Sequence, residues 1–272
     1  MANHLAGLLA WAIIAAAVPV SAAETLVIPG TGDSQELLQT LAIAFEASHP
    51  GTTIDIPESI GSSGGIKQVR SGQAVLARVA RPLNADERRE GLEYLTFALS
   101  PVVFAAHLDV SCVSDLSTAQ VVGIFSGKIG NWALFKGCPD HTIYVANREP
   151  GDSSRSVIES YLPDLKAIAE PAGKTVYSTP ETVQILKRYP HTVAYAPLAA
   201  LHGTSLTAFS LNGTPPTPAN VRAGRYPLVV PLGVVWKGEL PPLAERFLAF
   251  LFGPEAQRLI RQQGLVPAPD RR

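Results

Sequence analysis

Three short segments rich in Gly, Ser and Thr stand where an apolar run hands over to an amphipathic one: residues 29–35 (PGTGDSQ), 60–65 (IGSSGG) and 148–156 (REPGDSSRS). Each exposes backbone N–H groups ahead of a predicted helix. Such a turn aims unpaired amides and the positive end of a helix dipole outward, which favours an anion by about 0.3–1 kcal/mol per helix end. Taken singly, a Ser or Asp before a helix is an ordinary N-cap and a Gly is ordinary turn chemistry. Three such turns converging on one point make an oxyanion site.

Other chemistries have weaker support. GTGDSQ lacks the third Gly of a dinucleotide fingerprint, and GIFSGKIG is one residue short of a phosphate loop and lacks Ser or Thr after Lys128. His4, His49, His107, His141, His191 and His202 are scattered without a triad-like or metal-like arrangement. A hydrolase would have to use Ser153 or Ser154 with Asp152, without a histidine nearby in sequence. Trp132, Tyr144 and Tyr195 read as core aromatics, and Lys67 reads as part of a solvated helix face.

The elements that must hold these loops alternate. TLVIPG predicts a strand, and residues 34–50 predict a helix with Leu37, Leu38, Leu41, Ala42 and Phe45 on one side. TTIDIPES is a second strand, residues 61–65 a turn, IKQVRSGQ a short helix and LARVARPL a third strand, in the manner of a parallel-sheet α/β unit. A helix follows over residues 84–91. Two long, extended, β-branched runs, YLTFALSPVVFAAHL and YPLVVPLGVVWKG, are candidates to cross between lobes, with Tyr226 and Pro227 at a hinge. Between them lie a helix at residues 117–125, the strand TIYVANR, a helix after GDSSRS, a helix over ETVQILKRY and the strand TVAYAP. The tail predicts two helices broken at Gly253 and Pro254.

An apolar run from Leu5 to Val20, followed by Ser21 and Ala23 in an A-x-A-like arrangement, reads as a secretory signal peptide over residues 1–23, cleaved after Ala23. Its n-region holds His4 but no Lys or Arg, and the run falls short of the roughly 20 residues that span a bilayer. The remaining chain, with 46% hydrophobic residues overall, is long enough for two modest lobes. A net charge of -1 supplies no basic field of the kind nucleic acid requires. In an oxidising compartment Cys112 and Cys138 are most simply a disulfide, the alternatives being two buried thiols and, more weakly, a metal site.

The ordered set GTG, IGSSGGIKQ, RPL, FSGKIGNW, REPGDSSR and VAYAP resembles the phosphate-binding proteins of ABC-type uptake systems over nearly the whole mature chain. The most specific stretches are residues 60–69 and 124–132. The resemblance implies an α/β, two-lobed, periplasmic-binding-protein-like fold whose ligand cleft lies between lobes joined by two crossing strands. The lobes would comprise residues 24–99 with 226–272, and residues 100–225. It further implies a periplasmic monomer that takes a small oxyanion, phosphate first, to a membrane permease, with no metal, cofactor or nucleic acid. A sensing or adhesion module without transport is the alternative.

On the same resemblance the first loop offers Thr31, Gly32 and Ser34, and the second offers Ser62, Ser63 and Gly64. The third offers Arg148 as the cation facing the oxyanion, with Ser153 and Ser154 as donors. Two positions depart from the family pattern. Arg81 stands where many relatives place an acidic residue that accepts the phosphate proton, which would favour a fully ionised anion such as sulfate. Asp152 stands in a donor serine's place, where it is expected to N-cap the helix or hold Arg81, Arg148 or Arg155.

Overall fold

The computed structural model describes residues 24–269, so the expected leader at residues 1–23 and its cleavage after Ala23 lie outside the described residues. From Glu24 the chain forms β1 (Glu24–Val27), α1 (Gln35–Ser48), β2 (Thr52–Asp55), α2 (Gly61–Arg70), β3 (Leu76–Val79), α3 (Ala85–Arg89) and the long β4 (Leu92–Ala106). It continues through β5 (Asp115–Leu116), α4 (Thr118–Phe125), β6 (Tyr144–Arg148), α5 (Ser153–Tyr161), α6 (Pro163–Lys166) and β7 (Lys174–Val176). Next come α7 (Thr179–Arg188), β8 (Thr192–Pro197), β9 (Thr207–Ala208), β10 (Ser210–Leu211) and α8 (Pro218–Arg222). The chain closes with β11 (Val229–Lys237), α9 (Pro242–Leu251), α10 (Pro254–Gln262) and β12 (Val266–Pro267).

The main sheet runs β3-β11-β4-β8-β6-β7. β4 belongs to both halves of it: residues 92–101 pair with β11, and residues 102–106 pair with β8. The chain returning toward β11 is fastened where β4 changes partner, since the Val102 N–H donates to Leu228 O at 2.8 Å and the Tyr226 hydroxyl donates to Val102 O at 2.7 Å. Residues 100–106 are buried throughout, which is why this stretch reads as a continuous apolar run rather than an alternating one.

β1 and β2 form a separate two-stranded sheet, and only part of the strand pairing is parallel. β1–β2, β6–β7 and β6–β8 are parallel as expected, but β3, β4, β8 and β11 meet antiparallel. The long strands cause this: β11 comes back along β4 in the opposite direction and inserts between it and β3.

Three local expectations differ from what the structure shows. Residues 61–65 are not a turn; α2 already begins at Gly61. Gly65 serves close packing, because a Cβ there would lie 2.9 Å from the Gly30 Cα and 3.0 Å from the Ala77 Cβ. Tyr144 is not core but 58% exposed, whereas Trp132 and Tyr195 are buried. Of the histidines taken as scattered, His141 and His191 are brought together with rings stacked at 3.9 Å.

Cys112 and Cys138 form a disulfide with Cα atoms 5.4 Å apart, across 26 residues of chain. Closing a loop of that length restricts the unfolded chain by about 3 kcal/mol in the chain-entropy account. Denaturant unfolding with and without reductant is therefore expected to show a stability loss near that size on reduction. Equal midpoints would show that the bridge constrains nothing in the unfolded chain.

Candidate functional site

The first loop leaves β1 at Ile28 and folds back on β3. Gly30 forms a parallel bridge with Arg78 at φ +142°, and a Cβ at Gly30 would lie 1.9 Å from Arg78 O, so only glycine fits. The Gln35 N–H is taken by Gly32 O, but the N–H groups of Gly32 and Ser34 have no partner among the described residues. Ser34 ends the loop as the N-cap of α1 with no side-chain capping bond, and its fully buried hydroxyl lacks a partner. Thr31 is buried and its hydroxyl donates to Asp33 Oδ2.

Loop two is stitched to loop one. Ile60 N–H donates to Gly30 O at 3.0 Å, and Ser59 Oγ reaches the same carbonyl at 3.3 Å. The first four N–H groups of a helix have no intrahelical acceptor. In α2, Ile60 and Gly61 spend theirs on Gly30 O and Ser59 Oγ, which leaves the amides of Ser62 and Ser63. The Ser62 hydroxyl accepts the Ala80 N–H at 3.0 Å and so keeps its own proton for another acceptor. Ser63 is exposed, and Gly64 packs on Ile60, 3.1 Å from where its Cβ would be.

Across from these, α5 begins with Asp152 as N-cap, its Oδ1 accepting the Arg155 N–H at 2.9 Å. The amides of Ser153 and Ser154 remain without partners among the described residues. Ser154 is buried, and the Ser153 hydroxyl donates to Asp33 Oδ2 at 2.9 Å. That bond joins residues 120 apart in sequence and brings the third loop onto the first.

Arg148, 5% exposed, ends β6 beside this helix start. Its guanidinium bonds Asp152 Oδ2 at 2.9 Å, Glu149 Oε2 at 3.2 Å and Thr179 Oγ1 at 3.2 Å. Its backbone N–H is held by Asn147 Oδ1 at 3.0 Å and the Tyr195 hydroxyl at 3.1 Å. Tyr195 in turn donates to Asn147 Oδ1 at 2.6 Å, and burial pushes that phenol's pKa up. Burial also holds the Asp152 carboxyl above the usual carboxylate range; Arg148 and the Arg155 N–H pull it down, while Glu149 and Asp33 push it up. The pairing expected for Asp152 with Arg81, Arg148 or Arg155 is thus made with Arg148, and the capping role is met as well.

Arg81 pairs within its own segment. Its guanidinium grips Glu87 of α3 through two bonds of 2.8 Å, which raise its pKa and hold that carboxyl below its ordinary range. Glu87 also completes the capping box with Asn84, so the motif RPLNADE fixes Arg81 locally. Charged groups at the loops include the carboxylates of Asp33, Glu149 and Asp152 and the guanidiniums of Arg148 and Arg78.

Two residues that do much of this work were not singled out from the sequence. Asp33 sits inside PGTGDSQ without a motif to mark it. Arg78 lies in the buried strand LARV, where a period-two pattern gives no sign that an arginine points inward. Among the described residues no three His, Cys, Asp or Glu side chains are grouped to hold a metal ion.

Two α/β halves sharing a split strand, with helix N-termini facing each other from both, define the two-lobed binding-protein class. Similarity places the chain within that class. A profile described as "PBP superfamily domain" matches residues 17–255, and the chain belongs to the PBP superfamily. It is 30% identical over 258 residues to the phosphate-binding protein PstS of Bacillus subtilis (strain 168), covering 92% of this chain and 82% of that protein. Among solved structures it resembles a putative phosphate ABC transporter substrate-binding protein with bound phosphate from Clostridium perfringens, at TM-score 0.76 and 24% identity over 90% of this chain and all of that one. An ABC-type phosphate transport receptor from Vibrio cholerae aligns at TM-score 0.70 and 23% identity, over 89% of this chain and 99% of that one. The solved structures speak for the fold.

Proposed function

We propose that this chain is an exported receptor that captures phosphate between its lobes and delivers it to an ABC-type membrane permease. Its lobes are residues 24–99 with the tail from 226, and residues 100–225. The carrying observation is the meeting of three helix N-termini, α1, α2 and α5, with unpaired amides, the orphaned Ser34 hydroxyl and buried Arg148 beside them. Donors for the ligand are Ser34, Ser62, Ser153 and Ser154, the amides of the first two loops, and Arg148. Asp152 acts through Arg148. The relative from Bacillus subtilis, named a phosphate-binding protein, supports phosphate as the oxyanion.

Closure over a small anion desolvates it and strengthens each charge-assisted bond, and the closed form presents the surface a permease reads. The role is capture and release rather than turnover. Titration calorimetry of refolded, ligand-stripped mature protein against phosphate, sulfate, molybdate and a phosphate ester is expected to show micromolar or tighter phosphate binding, about 8 kcal/mol or more. Silence toward all four removes the oxyanion reading and leaves the fold.

A further inference from the structure

We infer that Arg78 is a positioning residue of the anion site, a buried cation that pins the first two loops so that their free amides face the cleft. This rests on the oxyanion reading above. Arg78 is 0% exposed, and among the described residues no carboxylate forms an ion pair with it. An arginine is rarely carried into a core unless its hydrogen-bond capacity is used there. Here it is used on loop backbone. Nε donates to Thr31 O at 2.7 Å, Nη1 to Ile28 O, and Nη2 to Pro57 O at 2.6 Å and Gln35 Oε1 at 3.3 Å.

The backbone of Arg78 grips the same loop. Its N–H donates to Pro29 O at 2.8 Å and its carbonyl accepts the Thr31 N–H at 3.1 Å. A trans peptide points its C=O and N–H in opposite directions. Drawing Thr31 O onto the guanidinium therefore turns the Gly32 N–H the other way, and that N–H is one of the unpartnered amides of the first loop. Pro57 O is drawn inward in the same manner, just ahead of Ser59 and Ile60, which tie the second loop to Gly30 O.

The charge itself also matters. Burial lowers the guanidinium's pKa, and Glu58 and Asp55 act on it through space without direct pairing. Positive potential beneath the loop is thus left to act on whatever anion the amides hold. An aliphatic residue at this position would satisfy the strand's pattern and leave three carbonyls without their donor.

The test uses Arg78→Met and Arg78→Lys in the mature chain, with inorganic phosphate as probe and two readouts taken well below the melting temperature. The first is phosphate affinity by calorimetry. The second is amide hydrogen exchange in ligand-free protein over residues 31–37 and 60–64, compared with α9 as a remote reference. A positioning role predicts at least tenfold weaker phosphate binding for Arg78→Met and partial recovery in Arg78→Lys. It also predicts faster exchange confined to the two loops. If Arg78→Met does not fold, Arg78→Lys alone carries the test, since it keeps the charge and loses the fork. Wild-type affinity with wild-type loop exchange in a folded variant overturns this inference alone. Failure of the wild-type protein to bind phosphate overturns the oxyanion reading, and this inference with it.

Discussion

Arg148→Ala is expected to weaken phosphate binding by about 1.5–3 kcal/mol, roughly 10- to 150-fold, the range for removing one charge-assisted hydrogen bond. The direction follows from charge as well as from the lost bond. Arg148 is flanked by Asp152 at 2.9 Å and Glu149 at 3.2 Å, so deleting its guanidinium leaves two carboxylates beside the proposed anion seat without their cation. Like charges in a partly buried site repel far more than at the surface. Arg148→Lys should recover part of the affinity, because an ammonium keeps the charge but cannot span Asp152, Glu149 and Thr179 as the fork does. Calorimetry with phosphate separates these outcomes, and thermal unfolding without ligand reports whether the deletion acts on the fold instead. Unchanged affinity in a folded Arg148→Ala protein would take Arg148 out of the site.

Much of this architecture is legible in the sequence because its signals are local. Ser117 and Gln120 cap α4 reciprocally, Gly253 and Pro254 break the tail into α9 and α10, and the apolar face of α1 recurs at helical spacing. The long strands are legible as β-branched, largely apolar runs, and alternation is lost where both faces are buried, as over residues 100–106. The rest depends on contacts that no local pattern encodes. α2 starts in a Gly-Ser run that reads as a turn, and the packing around it, with Gly65 close against Gly30, 35 positions away in the chain, is not local. Arg78 in a strand reads as an exposed side chain until the carbonyls of Ile28, Thr31 and Pro57 are seen around it. Arg81 is legible as a motif position, but its pairing is not: Glu87 of the capping box, six residues on, holds its guanidinium. Tyr144 is exposed because it opens β6 at the end of the strand, where alternation alone does not decide burial.

Asp33→Asn is expected to collapse the preference for phosphate over sulfate by tenfold or more. Asp33 Oδ2 accepts both the Thr31 hydroxyl and the Ser153 hydroxyl, so this carboxylate stands among the donors assigned to the oxyanion, with Asp152 close enough to feel its charge. A fully ionised anion entering there meets repulsion from Asp33 that Arg148, already shared with two carboxylates, does not cancel. Hydrogen phosphate differs from sulfate in carrying a proton, which an Asp can accept; a carboxylate then becomes a partner instead of a repeller. The amide in Asp33→Asn keeps the shape and removes the charge, so sulfate affinity should rise while phosphate affinity falls or holds. Sulfate also isolates the protein's own titration, since it stays dianionic through the working pH range. Burial raises the Asp152 pKa, so that carboxyl takes up its proton at higher pH than an ordinary aspartate, and the cleft becomes less negative as pH falls toward the carboxylate range. Sulfate binding to the wild-type protein should therefore strengthen on acidification, and calorimetry across that range reads it directly. A flat sulfate profile, together with an unaltered phosphate-to-sulfate ratio in Asp33→Asn, would mean that neither carboxylate faces the ligand and that selectivity is set by the amides and Arg148 alone.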